Sequence, residues 1–323
     1  MTSTLLCLAA LTSAPGLDID RGSYTIHCDV MGKGRPVVAI PGGPGFSGRS
    51  LWSIGFELQD KAKVLLFDQL GTGQSRMKDG KAPTSLSLKS TLADIDAIRK
   101  KLGQKKITLF GQSWGAIVAV GYAAYYPDNC DKIIVASVPG FNPEDFKVLS
   151  SNLAIKLAAD PSTDIASQSL EQQILGVLPY YFYDVDLGRK LGSTAPEGIF
   201  SGPVFQQLSV GMDGAVTAPF PKLLKRWKGS ALILQGHQDV TGGAMGYRLQ
   251  KILPNSRVVM FDQAGHFSWL EPAATDRFFN EFRQFLGLGY QSGFEPGLSE
   301  KARIEAAENL AKRRESAGWP FGK

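Results

Sequence analysis

The sequence has 323 residues, 43% hydrophobic and 20% charged, a composition that excludes a disordered chain and suffices for one large core or two modest ones. The formal net charge is +5, but the basic residues are scattered in short runs such as Arg99-Lys100-Lys101 and Lys312-Arg313-Arg314, not in the dense stripe of a nucleic-acid face. Cys7, Cys28 and Cys130 are odd in number, far apart and without metal-ligand spacing, which argues against a disulfide framework and a zinc site and fits a reducing, cytoplasmic compartment.

The chain starts with MTSTLLCLAALTSAPG, a short apolar run followed by small residues. It lacks the basic leader of a secretory signal, the first positive side chain being Arg21, so secretion is the alternative localisation. No stretch approaches the length of a membrane span. Apolar runs rich in β-branched residues then predict strands at 24–30, 36–40, 63–68, 106–111, 132–137, 231–236 and 257–262. Between most of them lie segments of helical period. Residues 87–103 place Leu88, Leu92, Ile95 and Ile98 on one face and end at Gly103. This βαβα alternation predicts an α/β fold, a mainly parallel sheet flanked by helices on both faces.

One interval breaks the rhythm. The strands at 132–137 and 231–236 are separated by far more chain than a crossover needs. We therefore expect a mostly helical cap insertion over residues 141–228, splitting the core into 1–140 and 229–288. Such a cap would lie above the C-terminal edge of the sheet, where open α/β sheets place their ligands. The segment EPAATDRFFNEFRQFLG reads as the closing helix, and 289–323 as a C-terminal extension with a polar helix from Ser299 to about Glu315.

The chemistry concentrates at LFGQSWGAI, where an apolar strand gives way to an apolar helix. Gly111, Gln112, Ser113, Trp114 and Gly115 fit G-x-S-x-G in the strand-turn-helix context that gives the motif its meaning. The glycines permit a sharp turn that exposes the hydroxyl, and the helix N-terminus favours negative charge developing beside it. A serine hydroxyl needs a base. Of His27, His237 and His266, His266 occupies the loop between the last strand and the last helix, where this architecture delivers its base. Asp239 follows the penultimate strand and completes the order Ser, acid, His, with Asp262 as the competing carboxylate. The oxyanion donors expected are the backbone N–H groups of Trp114 and of Gly43 in the loop PGGPG (residues 41–45).

Together PGGPG, FDQLGTGQS, GQSWG and AGH resemble the proline iminopeptidase branch of the α/β-hydrolase superfamily, over roughly residues 20–286. The resemblance implies the α/β-hydrolase fold, Ser113 as nucleophile, Asp239 as acid, His266 as base, and no metal or organic cofactor. Pro41 stands where the family often has His, and Leu70 where it often has Arg. The cap motif of E-x-H-Y-F kind that holds a substrate's free amine is missing. A small-molecule or short-peptide substrate is expected, with no nucleic acid or membrane partner. The expectation is a serine hydrolase that forms an acyl-enzyme on Ser113, in the first place a proline iminopeptidase-like aminopeptidase; the alternative is an esterase or thioesterase on a small apolar acyl group, and after it a receptor that retained the fold for its pocket. An aminopeptidase would need a cap carboxylate for the substrate's amine, from Glu171, Asp184, Asp186, Glu197 or Asp213. Glu197, in a Pro- and Gly-framed loop, is the first candidate.

Overall fold

The structure, a computed structural model, describes residues 16–160, 168–210, 219–253 and 255–322. The signal-like first segment with Cys7, and the candidate Asp213, lie outside the described residues. All seven expected strands form, with ends within two residues of those expected: β2 Tyr24–Met31, β3 Arg35–Ile40, β4 Ala62–Phe67, β6 Ile107–Gln112, β7 Cys130–Ala136, β8 Ser230–Gly236 and β9 Ser256–Phe261. Two strands were not expected, β1 Gly16–Asp20 and the two-residue β5 Arg76–Met77. β5 is too short to show alternation, and β1 offers only two apolar residues, Leu17 and Ile19. The sheet runs β1-β2-β4-β3-β6-β7-β8-β9, with β5 on the edge of β2. Strands β1 and β2 pair antiparallel, as do β2 and β4, and every pairing from β4 through β9 is parallel.

Alternate side chains on these strands feed two cores. One face carries Val38, Ile40, Leu65, Phe67, Ile133 and Val135, packed against helices α2 (Leu88–Lys101), α3 (Trp114–Tyr125) and α8 (Met245–Gln250). The other carries Val37, Ala39, Val64, Leu66 and Ile134 against α1 (Trp52–Leu58) and α9 (Thr275–Leu286). Helix α3 is apolar on every side because sheet, α2 and the base of the cap surround it. In α2 the stripe Leu92, Ile95 and Ile98 is buried, Ser87 caps the N-terminus, and Gly103 takes a left-handed φ of 65° just past the end.

The insertion between β7 and β8 contains α4 (Pro143–Ala158), α5 (Leu170–Val177), α6 (Val185–Gly192), α7 (Gly202–Val210) and a helical turn at Phe220–Leu223. Side chains of Asn142, Ser169 and Asp184 cap α4, α5 and α6, so each start is written locally. The tail forms α10, Glu300–Ser316, capped by Ser299. It docks on α1 and α9 rather than projecting. Arg314 pairs with Glu57 at 2.8 Å and Asp276 at 3.0 Å, Gln291 donates to the second Glu57 oxygen at 2.7 Å, and Trp319 lies edge-on to Phe56 and Phe279. Burial outweighs Arg314 at Glu57 and holds its carboxyl above the usual range.

Candidate active site

The C-terminal ends of β3, β6, β7, β8 and β9 converge beneath the cap. Ser113 sits between β6 and α3 with φ 54° and ψ −116°, a backbone conformation that a side-chain-bearing residue rarely adopts. The turn is compressed from both sides. A Cβ on Gly111 would strike the Gly115 carbonyl, and one on Gly115 would strike the Ile40 carbonyl of β3. The Ser113 amide donates to the Ala136 carbonyl at 2.9 Å, fixing the turn to β7.

His266 is brought to the same place from the loop after β9. Its Nδ1 lies 2.9 Å from Asp239 Oδ1, and the pair is almost wholly buried. Asp239 is itself held twice, by the Thr241 amide to Oδ1 at 2.9 Å and by Gln235 Nε2 to Oδ2 at 2.8 Å. Gln235 is oriented in turn, its Oε1 accepting from the Val138 amide at 2.9 Å. Ser137 donates its hydroxyl to the His266 carbonyl. Among the described residues, the non-glycine residues with positive φ are Ser113, Ser137 and Gln263, and the first two belong to this site.

The alternatives separate cleanly. His237 Nδ1 lies 2.5 Å from Asp262 Oδ1, and both side chains are exposed, so the competing acid pairs with a competing histidine away from the cavity. His27 sits in β2 between Asp18 at 2.7 Å and Asp29 at 3.3 Å, on the far part of the sheet.

Ser113, Trp114, Gly43 and His266 all line one cavity of about 240 Å³, roofed by Phe146, Leu149, Ile174, Val177, Leu178 and Phe205 of the cap. As first residue of α3, Trp114 presents an amide that no carbonyl of its own helix can accept. Gly43, at φ 106°, belongs to a loop tied to the cap through Ser47 N to Ile199 O at 2.8 Å and Ser201 N to Gly45 O at 2.9 Å. Asp68 ties the same loop to the core, accepting from the amides of Gly48 and Gln74, each at 2.8 Å. Burial pushes the Asp68 carboxyl up to about 6 despite those two donors. Leu70 packs into the apolar core, and its neighbour Gln69 makes the polar link, accepting from Trp114 Nε1 at 3.3 Å and donating to Thr91 at 2.9 Å.

Glu197 requires a correction. It is exposed and is not among the cavity's lining residues. Gly198, at φ 71°, turns the chain so that Ile199 and Phe200 go inward and Glu197 faces solvent. Asp184 and Asp186 sit at the start of α6, and neither they nor Glu171 lines the cavity.

A strap at residues 180–183 joins cap to base. The His266 amide donates to the Tyr181 carbonyl at 2.7 Å, and the Tyr181 ring stands edge-on to the imidazole. Glu271 Oε1 accepts from Tyr183 N at 2.6 Å and from Gly265 N at 3.2 Å. Lys156 Nζ donates to the carbonyls of Tyr180 at 2.8 Å and Phe182 at 2.7 Å. Desolvation lowers the Lys156 pKa and raises that of Glu271. Gly265 admits no side chain, since a Cβ would meet the Tyr181 carbonyl and the Tyr183 amide. Gln235, Ser137 and Glu271 fall outside the motifs that mark the site in the sequence. Gln235 carried a signal, an amide in an otherwise apolar strand four residues before the expected acid.

The family described as alpha/beta hydrolase fold matches residues 35–184. A thermophilic esterase from Thermogutta terrifontis superposes with a TM-score of 0.65 at 20% identity, covering 85% of this chain and 98% of that one. The fold is that of the α/β-hydrolases. In sequence the chain resembles the proline iminopeptidase of Lactobacillus delbrueckii subsp. bulgaricus, 30% identical over 122 residues, 36% of this chain and 41% of that protein. It is also similar to the cis-3-alkyl-4-alkyloxetan-2-one decarboxylase of Shewanella oneidensis, 31% identical over 134 residues, 41% of each. The chain thus aligns with about two fifths of the length of these curated relatives. Among the described residues, no helix is long and apolar enough to cross a membrane, and no group of three or more His, Cys, Asp or Glu could hold a metal ion.

Proposed function

We propose that the protein is a serine hydrolase acting on esters of small apolar acids. Ser113 attacks the carbonyl while His266 takes its proton, Asp239 holds the imidazole and stabilises the imidazolium, and the amides of Trp114 and Gly43 receive the oxyanion. The acyl group then rests on Ser113 until water, activated by the same histidine, releases it. The observation that carries the substrate class is the cavity wall. Its described lining is apolar apart from Gln112, Ser113, Tyr181, Thr241 and His266, and contains no carboxylate. A cationic amine entering such a space would lose its hydration without an ionic partner. A neutral acyl chain would gain from burial.

The resemblance to proline iminopeptidases supports a second reading, an aminopeptidase taking small N-terminal residues. A fluorophosphonate probe, followed by mass spectrometry, should place its adduct on Ser113 in the wild type and give none in Ser113→Ala. A substrate panel then separates the readings. Turnover of short-chain nitrophenyl esters with failure of Pro- and Ala-naphthylamide supports the esterase. Cleavage of the naphthylamides, abolished by N-acetylation, supports the aminopeptidase. Stoichiometric labelling with turnover of neither class would favour a receptor.

A further inference from the structure

A second chamber adjoins the first. It encloses about 60 Å³ between α5, α6 and the turn at 195–199 of the cap and Leu51, Trp269 and Leu270 of the core. Four residues, Phe46, Gln112, Leu178 and Phe267, line both chambers. The second chamber is apolar except for Ser50 and Gln112, and one of its walls is Phe321, from the tail. The tail delivers that ring from a fixed position. Arg314 and Trp319 anchor it on α1 and α9, and the Phe321 carbonyl accepts from Arg49 Nε at 3.3 Å.

We propose that the second chamber receives the distal end of the substrate's acyl chain and that Phe321 sets the longest chain it accepts. The inference rests on the serine-hydrolase reading above. Phe46 and Gln112 stand beside Gly43 and Ser113, so the chamber opens off the side where the acyl carbon and its oxyanion would sit. The leaving group must face His266 to collect its proton, and on that side the shared wall is closed by Phe267, whose ring stands edge-on to the imidazole. The side chains of Phe46, Gln112, Leu178 and Phe267 stand between the two chambers, and admitting a chain requires a rotamer change among them. Each methylene buried in the second chamber would raise kcat/KM roughly fourfold, and each one pressed against Phe321 would lose that gain. Phe321 is thus a specificity-determining residue contributed from far outside the catalytic motifs.

The test measures the rate of Ser113 phosphonylation by nitrophenyl alkylphosphonates of increasing linear chain, alongside ester turnover, in wild type, Phe321→Ala, Phe321→Leu and Phe321→Trp. The alkyl group of the phosphonate occupies the acyl position, so labelling reports chain fit even if ester turnover is poor. Phe321→Ala and Phe321→Leu should move the optimum to longer chains, with about a tenfold gain for chains beyond the wild-type optimum. Phe321→Trp should move it to shorter ones. Phe321→Leu serves where Phe321→Ala loosens the tail, as read by Tm. An identical chain-length profile in all folded variants overturns the proposal, as does absence of labelling. A shifted labelling profile with no ester turnover would preserve this inference and sink the esterase reading instead.

Discussion

The Tyr181 carbonyl accepts the His266 amide at 2.7 Å, so the residue expected to act as base is hydrogen-bonded directly to the cap that covers it. Cap position and base position are therefore one structural variable. Glu271 reinforces the link, because one carboxylate oxygen holds an amide from each side.

From that link, Glu271→Ala should leave two interior amides unpaired, lowering stability by about 2–4 kcal/mol and kcat at least tenfold. Glu271→Gln keeps an acceptor oxygen and should restore most of both. Thermal unfolding and steady-state kinetics check this. Equal damage from the two substitutions would mean that the charge, rather than the acceptor, matters.

The acid assignment rests on the separation of two Asp–His pairs. Asp239→Asn should lower kcat by about four orders of magnitude with the fold retained, whereas Asp262→Asn and His237→Ala should change it less than about twofold. Gln235→Leu should fall between, since it removes a donor from Asp239 and orphans the Val138 amide, at about 1–3 kcal/mol of stability. A large loss in Asp262→Asn would reverse the assignment.

Asp68 makes stability depend on pH. Its folded pKa is raised from the model-compound value of 3.8 to about 6, with burial as the main cause, so the folded state favours the neutral carboxyl. Its contribution is fully present below the unfolded pKa and is lost as pH rises through about 6, a change on the order of 3 kcal/mol. Urea unfolding between pH 4 and 8 should show the difference between wild type and Asp68→Asn moving in favour of the variant as pH rises. A constant difference across that range would refute the shift.

How much of this was legible in the sequence depended on the range of the interactions. The strands of the parallel core are buried on both faces and announce themselves as apolar runs, while β1 and β5 are edge strands whose pairing comes from β2. Ser113, Asp239 and His266 follow fixed positions in strand-to-helix connections, so their meeting around the cavity could be expected from order alone. Their supports could not. Ser137 and Glu271 act through backbone groups of a loop and a strap distant in sequence, which no local pattern encodes. Glu197 failed for a related reason: its framing residues were visible, but a left-handed glycine decided which way the turn faced.

The tail has a consequence beyond the chamber that Phe321 lines. Glu57, inside α1, meets Arg314 and Gln291, and both come from beyond residue 288. Undocking the tail would remove both partners of that carboxyl and open it to water. The helix is thus held from its far end, so hydrogen exchange in α10 should be slowest near Arg314, where the ion pairs to Glu57 and Asp276 and the Trp319 ring fix it, and fastest in its exposed first turns.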